Sequence, residues 1–173
     1  VALSLFYSDR RVEIIENGLD LAIKAGSLSD SAMMSRKLGI IPRALVAGAE
    51  YASARPVPSR PADMEDWDWI RYQQRSDTIE LTSDKGETES VTGRSQIEVD
   101  SANALYHFAM QDVGASVLPE NLAARGVASG SLVRLLPEWR LGDIDLHAVW
   151  PDSSRRETLT LLFVRFLADA LGR

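Results

Sequence analysis

Asp9-Arg10-Arg11-Val12-Glu13-Ile14-Ile15-Glu16-Asn17-Gly18-Leu19-Asp20-Leu21-Ala22-Ile23-Lys24-Ala25-Gly26 reads as a helix handing over to a strand. In a helix over 11–17, Val12, Ile15 and Leu19 fall on one side and charges on the other. Asn17-Gly18 stops it, because these residues enter the left-handed region that ends helices most easily. Residues 19–25 are then largely apolar, as a buried strand requires, and Gly26 closes them. The stretch before, Val1-Ala2-Leu3-Ser4-Leu5-Phe6-Tyr7, is also nearly continuous apolar sequence and predicts a strand buried on both faces. Ser8-Asp9-Arg10 separates it from the helix. Strand, helix and strand with turns this short make a βαβ unit with two parallel strands.

Working outward, strands are expected at 36–40 and 43–48 and a short helix at 49–53. Residues 55–61 hold three of the seven prolines and predict an exposed connector before a second lobe. Beyond it the chain is rich in short strands, at 69–72, 78–83, 88–92 and 96–99, with a hairpin turn at Ser83-Asp84-Lys85-Gly86. Asp100-Ser101 caps a helix to about 111, with Leu105, Phe108 and Ala109 on one face. A strand at 115–118, a helix at 120–125, an extended segment at 132–136, a strand at 144–150 and a helix at 156–171 follow. In the last helix, positions 159, 162, 163, 166, 167, 170 and 171 form the face expected to pack on a sheet. Alternating helices and strands imply parallel sheets with helices on both faces.

The chain has 173 residues, 45% hydrophobic and 25% charged, with a net charge of −6. That composition belongs to a globular fold, and the acidic balance argues against gripping a phosphate backbone. With no cysteine, disulfides, thiolate metal sites and cysteine nucleophiles are excluded. No stretch approaches the roughly 18 apolar residues of a membrane span, and the chain opens directly in a strand-like run without a signal-peptide pattern.

Catalytic constellations are missing. The two histidines, His107 and His147, lie far apart and carry no zinc-ligand spacing, so the structural reading outweighs the catalytic one. There is no G-x-S-x-G, no G-x-G-x-x-G and no phosphate-binding loop; residues 126–130 read as a flexible turn. The acidic pairs Glu87/Glu89 and Asp143/Asp145 lie in polar turns and read as solvated faces. Trp67 and Trp69 either stack a ligand or pack at a lobe edge. Catalytic, cofactor and metal residues are therefore expected to be absent.

The opening stretch resembles the signature of the LysR-type transcriptional regulators, D-R-x-V-D-L-x-x-x-G-x-D-x-A-I-R-x-G, with Glu13 for Asp and Lys24 for Arg. Further matches come in the family's order. Arg36-Lys37-Leu38-Gly39 resembles R-x-L-G, and Ala47-Gly48-Ala49-Glu50-Tyr51 resembles A-S-P-x-Y with both middle residues changed. Gly114-Ala115-Ser116-Val117-Leu118-Pro119 resembles G-I-A-x-L-P. The stretch from Gly130 to Trp139 resembles G-x-L-V-x-V-L-P-x-W. Ahead of Gly114 the family's first glycine is replaced by Asp112.

The resemblance implies an α/β fold of two Rossmann-like lobes, like the type 2 periplasmic binding proteins. The first strand and helix of lobe one are expected to be missing from this sequence, as is the N-terminal winged helix-turn-helix. Lobe I is expected over 1–66 and 146–173, and lobe II over 67–145, with crossovers near 66–70 and 143–147. The implied function is an effector-sensing domain of a cytoplasmic bacterial regulator that binds a small molecule between the lobes. Helix N-termini and strand ends attract polar ligands. The expected site is therefore Ser8, Asp9, Lys24, Gly26, Tyr72, Asp100, Ser101 and Ala102. Plain helix capping is the alternative for Ser8 and Asp100. Asp100 would repel an anion at that helix, which leaves a neutral or amine-bearing effector open beside a small acidic one.

A homodimer or homotetramer is implied, with the helix at 11–17 against that at 101–111 of another chain. Tyr106 and Met110 either line that interface or cover their own lobe. DNA would be met only through the missing domain, with no membrane contact and no cofactor. Two competing readings are a solute-binding protein of a transporter with this fold and an enzyme on it, such as a deaminase-like or dehydratase-like lyase.

Overall fold

The computed structural model describes residues 2–8, 14–28, 33–152 and 159–171. In chain order its elements are β1 (Ala22–Ala25), β2 (Met33–Ile41), β3 (Arg43–Gly48), α1 (Ala49–Ser53), β4 (Asp68–Tyr72), β5 (Ile79–Ser83), β6 (Thr88–Val91), β7 (Arg94–Val99), α2 (Ala102–Ala109), β8 (Ala115–Pro119), α3 (Glu120–Ala128), β9 (Leu132–Arg134), β10 (Trp139–Leu141), β11 (Ile144–Pro151) and α4 (Leu159–Leu171). They fall into two units. Unit 1 comprises the described residues of Val1–Ile41 and Asp143–Arg173, and unit 2 is Pro42–Gly142.

Unit 2 is built on a mixed sheet ordered β7-β4-β8-β3-β9. The strand β4 runs parallel to β7 and β8, while β3 is antiparallel to β8 and β9. Side chains alternate across the sheet with the two-residue period of a strand. Ala44 and Val46 of β3 join Ile70, Leu118, Leu122, Leu105 and Ala109 under α2 and α3. Leu45 and Ala47 join Trp69, Ala115, Tyr51, Met64 and Trp67 on the other face, which the hairpin residues Leu81 and Val91 also cover. The Trp69 indole N–H donates to the Met64 carbonyl at 3.3 Å. The backbone at Gly93 lies so close to that indole that a Cβ there would overlap it. Both tryptophans are core residues, 5% and 2% exposed at Trp67 and Trp69, which settles the choice between core packing and ligand stacking.

Unit 1 holds a sheet ordered β1-β11-β2, both pairings antiparallel. Leu38, Ala148 and Val164 form its small core, with Leu146, Trp150, Leu167 and Ala168 packed against it.

Several expectations are corrected. Residues 2–8 form no strand and are exposed, because no described strand lies beside them to take their hydrogen bonds. Of the helix expected over 11–17, residues 11–13 lie outside the described ones. Ile14–Gly18 forms hydrogen-bonded turns in which Ile14, rather than Ile15, is buried. The parallel βαβ pair is replaced by antiparallel contacts, because β11 returns from unit 2 and lies between β1 and β2. The first crossover falls at Ile41/Pro42 rather than near 66. Pairing of β3 with β8 and β9 holds it in unit 2, and the proline-rich segment packs there too, with Pro58 and Pro61 buried. In α4 only Val164 is fully buried, while Leu159, Leu162 and Phe166 are exposed. The helix is apolar almost all round, so its periodicity did not pick out the packed face. Residues 126–128 belong to α3 rather than to a turn.

Candidate functional site

In unit 2 the structure brings four expected residues together. The parallel register sets Tyr72, at the carboxyl end of β4, opposite Val99, at the end of β7. The Gln73 N–H donates to the Val99 carbonyl at 2.8 Å, which ties the strand ends together. Asp100 follows at once, and Ser101 is the N-cap of α2 in extended conformation, φ −134° and ψ 132°. Its carbonyl accepts the Leu105 N–H at 3.0 Å, but its hydroxyl makes no capping hydrogen bond. The first N–H groups of α2 are therefore not capped by that side chain, and Ala102 opens the helix beside them. Tyr72, Asp100, Ser101 and Ala102 are all half-buried. A carboxyl edge of parallel strands leading into a helix is where open α/β sheets hold ligands.

In unit 1, Lys24 stands opposite His147 in the β1–β11 register. Gly26, at φ 98°, donates its N–H to the Asp145 carbonyl at 2.8 Å. The positive φ is the region where glycine is unstrained. Ser8 is exposed and outside any regular element; Asp9 lies outside the described residues.

Asp145 lies on a solvated face, as read, and there pairs with Lys37 at 2.5 Å, both side chains half exposed. The hydrogen bond from Lys37 holds its carboxyl below the usual carboxylate range, and the His147 ring adds to the same effect. Asp112 is the surprise. At φ 57° it occupies the left-handed region, and its Oδ1 accepts the N–H of Glu50 at 2.9 Å and of Tyr51 at 3.0 Å. It thereby caps α1 from 62 residues away. At Gly48 a Cβ would lie 2.7 Å from the Asp112 Cα and 2.8 Å from the Ala109 carbonyl oxygen. Gly48 and Asp112, two separate departures from the family pattern in sequence, are one contact in space.

Tyr106 is 7% exposed in the core under α2, with the Arg125 guanidinium 5.7 Å from its ring centre. It covers its own unit, because the apolar stripe of α2 is wide enough to take both Leu105 and Tyr106. Phe108, assigned to that stripe, is instead 40% exposed. Tyr51, the buried residue of α1, holds Asp68: its hydroxyl accepts the Asp68 N–H at 2.7 Å. Burial pushes the Tyr51 phenol above its ordinary range. No helix among the described residues is long and apolar enough to cross a membrane.

The family profile described as LysR substrate binding domain matches residues 1–172. The chain is 29% identical over 174 residues to the HTH-type transcriptional regulator PtxR of Pseudomonas aeruginosa, covering 100% of this chain and 56% of that protein. It is 24% identical over 158 residues to the HTH-type transcriptional activator AaeR of Escherichia coli, covering 91% and 51%. The chain thus spans about half the length of the curated relatives it matches. In structure it is similar to the regulatory domain of CrgA from Neisseria meningitidis, with a TM-score of 0.75 and 22% identity over 91% of this chain and 78% of that one. Full-length AphB of Vibrio cholerae gives a TM-score of 0.77 and 21% identity over 92% and 54%. At these identities the structural likeness speaks to the fold.

Proposed function

The chain belongs to the LysR substrate binding domain family, the effector-binding part of LysR-type transcriptional regulators, and on that premise we propose that it senses a small-molecule effector for a bacterial regulator working in the cytoplasm. Binding biases an equilibrium between conformations and so the arrangement of DNA-binding domains elsewhere in the protein; no bond is made or broken. The observation that carries this reading is the unit 2 edge, where Tyr72, Asp100, Ser101 and Ala102 meet with the Ser101 hydroxyl unused in capping. Ser8, Asp9, Lys24 and Gly26 are proposed as effector-binding residues of unit 1. DNA contact belongs to a helix-turn-helix outside this sequence, in keeping with the net charge of −6.

Unit 1 is completed by a further strand and helix outside this sequence. The exposed apolar side chains of residues 2–8 and of α4 support that reading. Self-association, as a dimer or tetramer, uses the outer face of α2 through Phe108, since Tyr106 is committed to the core.

The test is Ser101→Trp in the full-length regulator, with thermal stability and ligand-induced stabilisation measured together across a metabolite panel. The expected result is an unchanged unliganded melting temperature with loss of the response to the metabolite that stabilises wild type. An unchanged response in the folded variant would remove this turn from the site. A full-length protein stabilised by no member of a broad panel would count against effector sensing.

A further inference from the structure

Alternation along β4 decides where Arg71 goes. Ile70 and Tyr72 pack under α2, whereas Trp69 packs on the hairpin side. Successive strand residues point to opposite faces, so Arg71 lies on the hairpin side, next to an apolar cluster. Its side chain is only 13% exposed. The Nε and Nη1 atoms are buried, and neither has an aligned hydrogen-bond acceptor. A guanidinium in such a place needs a carboxylate, because a buried charge without one is costly.

Two carboxylates come to it from different parts of the chain. Asp77, in the segment after β4, sets its Oδ1 against Nη1, and its own side chain is 66% exposed. The pair lacks the two parallel N–H···O bonds of a fork, so charge rather than direction holds it. Glu98 stands beside Arg71 in the parallel β4–β7 register. Neighbouring strands lie about 4.8 Å apart, and paired positions share a face, which puts Glu98 within reach of the same guanidinium. Glu98 is exposed and forms no ion pair with another described residue.

Residues 73–78, which carry Asp77, form turns and bends with exposed side chains. Backbone hydrogen bonds anchor the near end: the Gln73 N–H donates to the Val99 carbonyl at 2.8 Å, and the Arg75 N–H to the Tyr72 carbonyl at 2.9 Å. Asp77 fastens the far part back onto the strand. The segment thus adjoins both Tyr72 and the Val99–Ser101 turn.

We propose that Arg71 is a latch with two seats. On Asp77 the guanidinium holds residues 73–78 against the carboxyl end of β4; on Glu98 it releases them. Exchange is easy, because Asp77 withdraws into water where it already largely sits, and the buried cation passes from one carboxylate to the other without being left alone. The latch lies wholly within unit 2. It deepens the effector reading, on which its purpose rests, by giving the Tyr72–Ser101 edge a movable neighbour. Arg71, Asp77 and Glu98 act through that segment and are positioning residues.

Hydrogen exchange by mass spectrometry on the full-length regulator, without ligand, tests this. A peptide spanning 73–78 is compared with one from β8, and melting temperature reports the fold. Asp77→Asn should speed exchange at 73–78 roughly tenfold and leave β8 unchanged, while Asp77→Glu keeps most of the protection. Arg71→Met should loosen the segment as much as Asp77→Asn, and no further when combined with it. Glu98→Gln, which removes the competing seat, should slow exchange about threefold, an effect that a merely structural charge would not produce. If Arg71→Met melts early, the two exposed carboxylates decide alone. Exchange at 73–78 untouched by Asp77→Asn, loosening that spreads equally into β8, or failure of Glu98→Gln to slow exchange would overturn the latch. No ligand enters the experiment, so the latch can fail while the Ser101→Trp response still supports the effector reading.

Discussion

Unit 2 buries its apolar side chains on both faces of a five-stranded sheet, whereas the described part of unit 1 leaves many of its own in the open. Of the large hydrophobic residues that are exposed among those described, thirteen lie in unit 1, from Leu3 and Phe6 to Leu162 and Phe166, and three, Val57, Phe108 and Val127, in unit 2. Single exposed apolar residues are ordinary; a concentration of this kind marks surface that something else covers. The contrast teaches that the two units differ in how far their own described residues satisfy the hydrophobic effect.

The sharpest way to break the comparison is to delete one large side chain from each unit. Trp69→Ala empties a fully packed site in unit 2 and should cost about 3–5 kcal/mol by urea denaturation. Phe166→Ala, 63% exposed on α4, should change stability by no more than about 0.5 kcal/mol in this chain. Equal losses would show that α4 packs against more than the described residues supply.

A second pair separates core from surface on α2. Tyr106→Glu buries a carboxylate beneath the helix and should cost roughly 2–4 kcal/mol in thermal melts. Phe108→Glu should leave the melt within about 0.5 kcal/mol while weakening any self-association seen by sedimentation. A sedimentation profile indifferent to Phe108→Glu would move the interface off α2.

How much of this was legible depended on whether the information was local. The bounds of α1, the hairpin turn at Gly86 and the strand ends at Tyr72 and Val99 came from turn residues and short-range alternation, and the structure holds them close to where they were read. The neighbours of β1 were not legible. Nothing near residue 22 says that a strand 120 or so residues later will lie beside it, since pairing is set by the whole topology. For the same reason Tyr72 and Ser101 could be named from strand ends and a cap, whereas the alignment of Lys24 with His147 needed the register. The cap from Asp112 to α1 was hidden likewise, its two sides having been read as unrelated departures.

That cap gives a third, smaller effect inside unit 2. Asp112→Ala should cost about 1–2 kcal/mol, because two N–H groups lose their acceptor. Gly48→Ser should be harmful with Asp112 present and milder in an Asp112→Gly background, with a coupling of roughly 0.5–3 kcal/mol in a double-mutant cycle. Additive losses would mean the contact carries no shared energy.

The smallest effect concerns pH. Hydrogen bonds from Arg134 hold the Glu120 carboxyl below its ordinary range. A lowered carboxyl stabilises the fold above the unfolded value of about 4.3 and loses that contribution as pH falls through its own lower value. The side chains are 41% and 39% exposed, so solvent screening keeps the pair to about 0–1 kcal/mol. Arg134→Ala should therefore lower stability slightly at pH 7 and not at pH values well below 4; a loss that persists in acid would come from packing instead.

Native-state hydrogen exchange on the 173-residue chain tests the central contrast most directly. Amides of β3, β4 and β8 should exchange only through global unfolding, while those of β1, β2 and β11 should exchange faster through local opening, since protection follows buried contact. Equal protection across the two sheets, with the strands of unit 1 opening only with the whole, would contradict it.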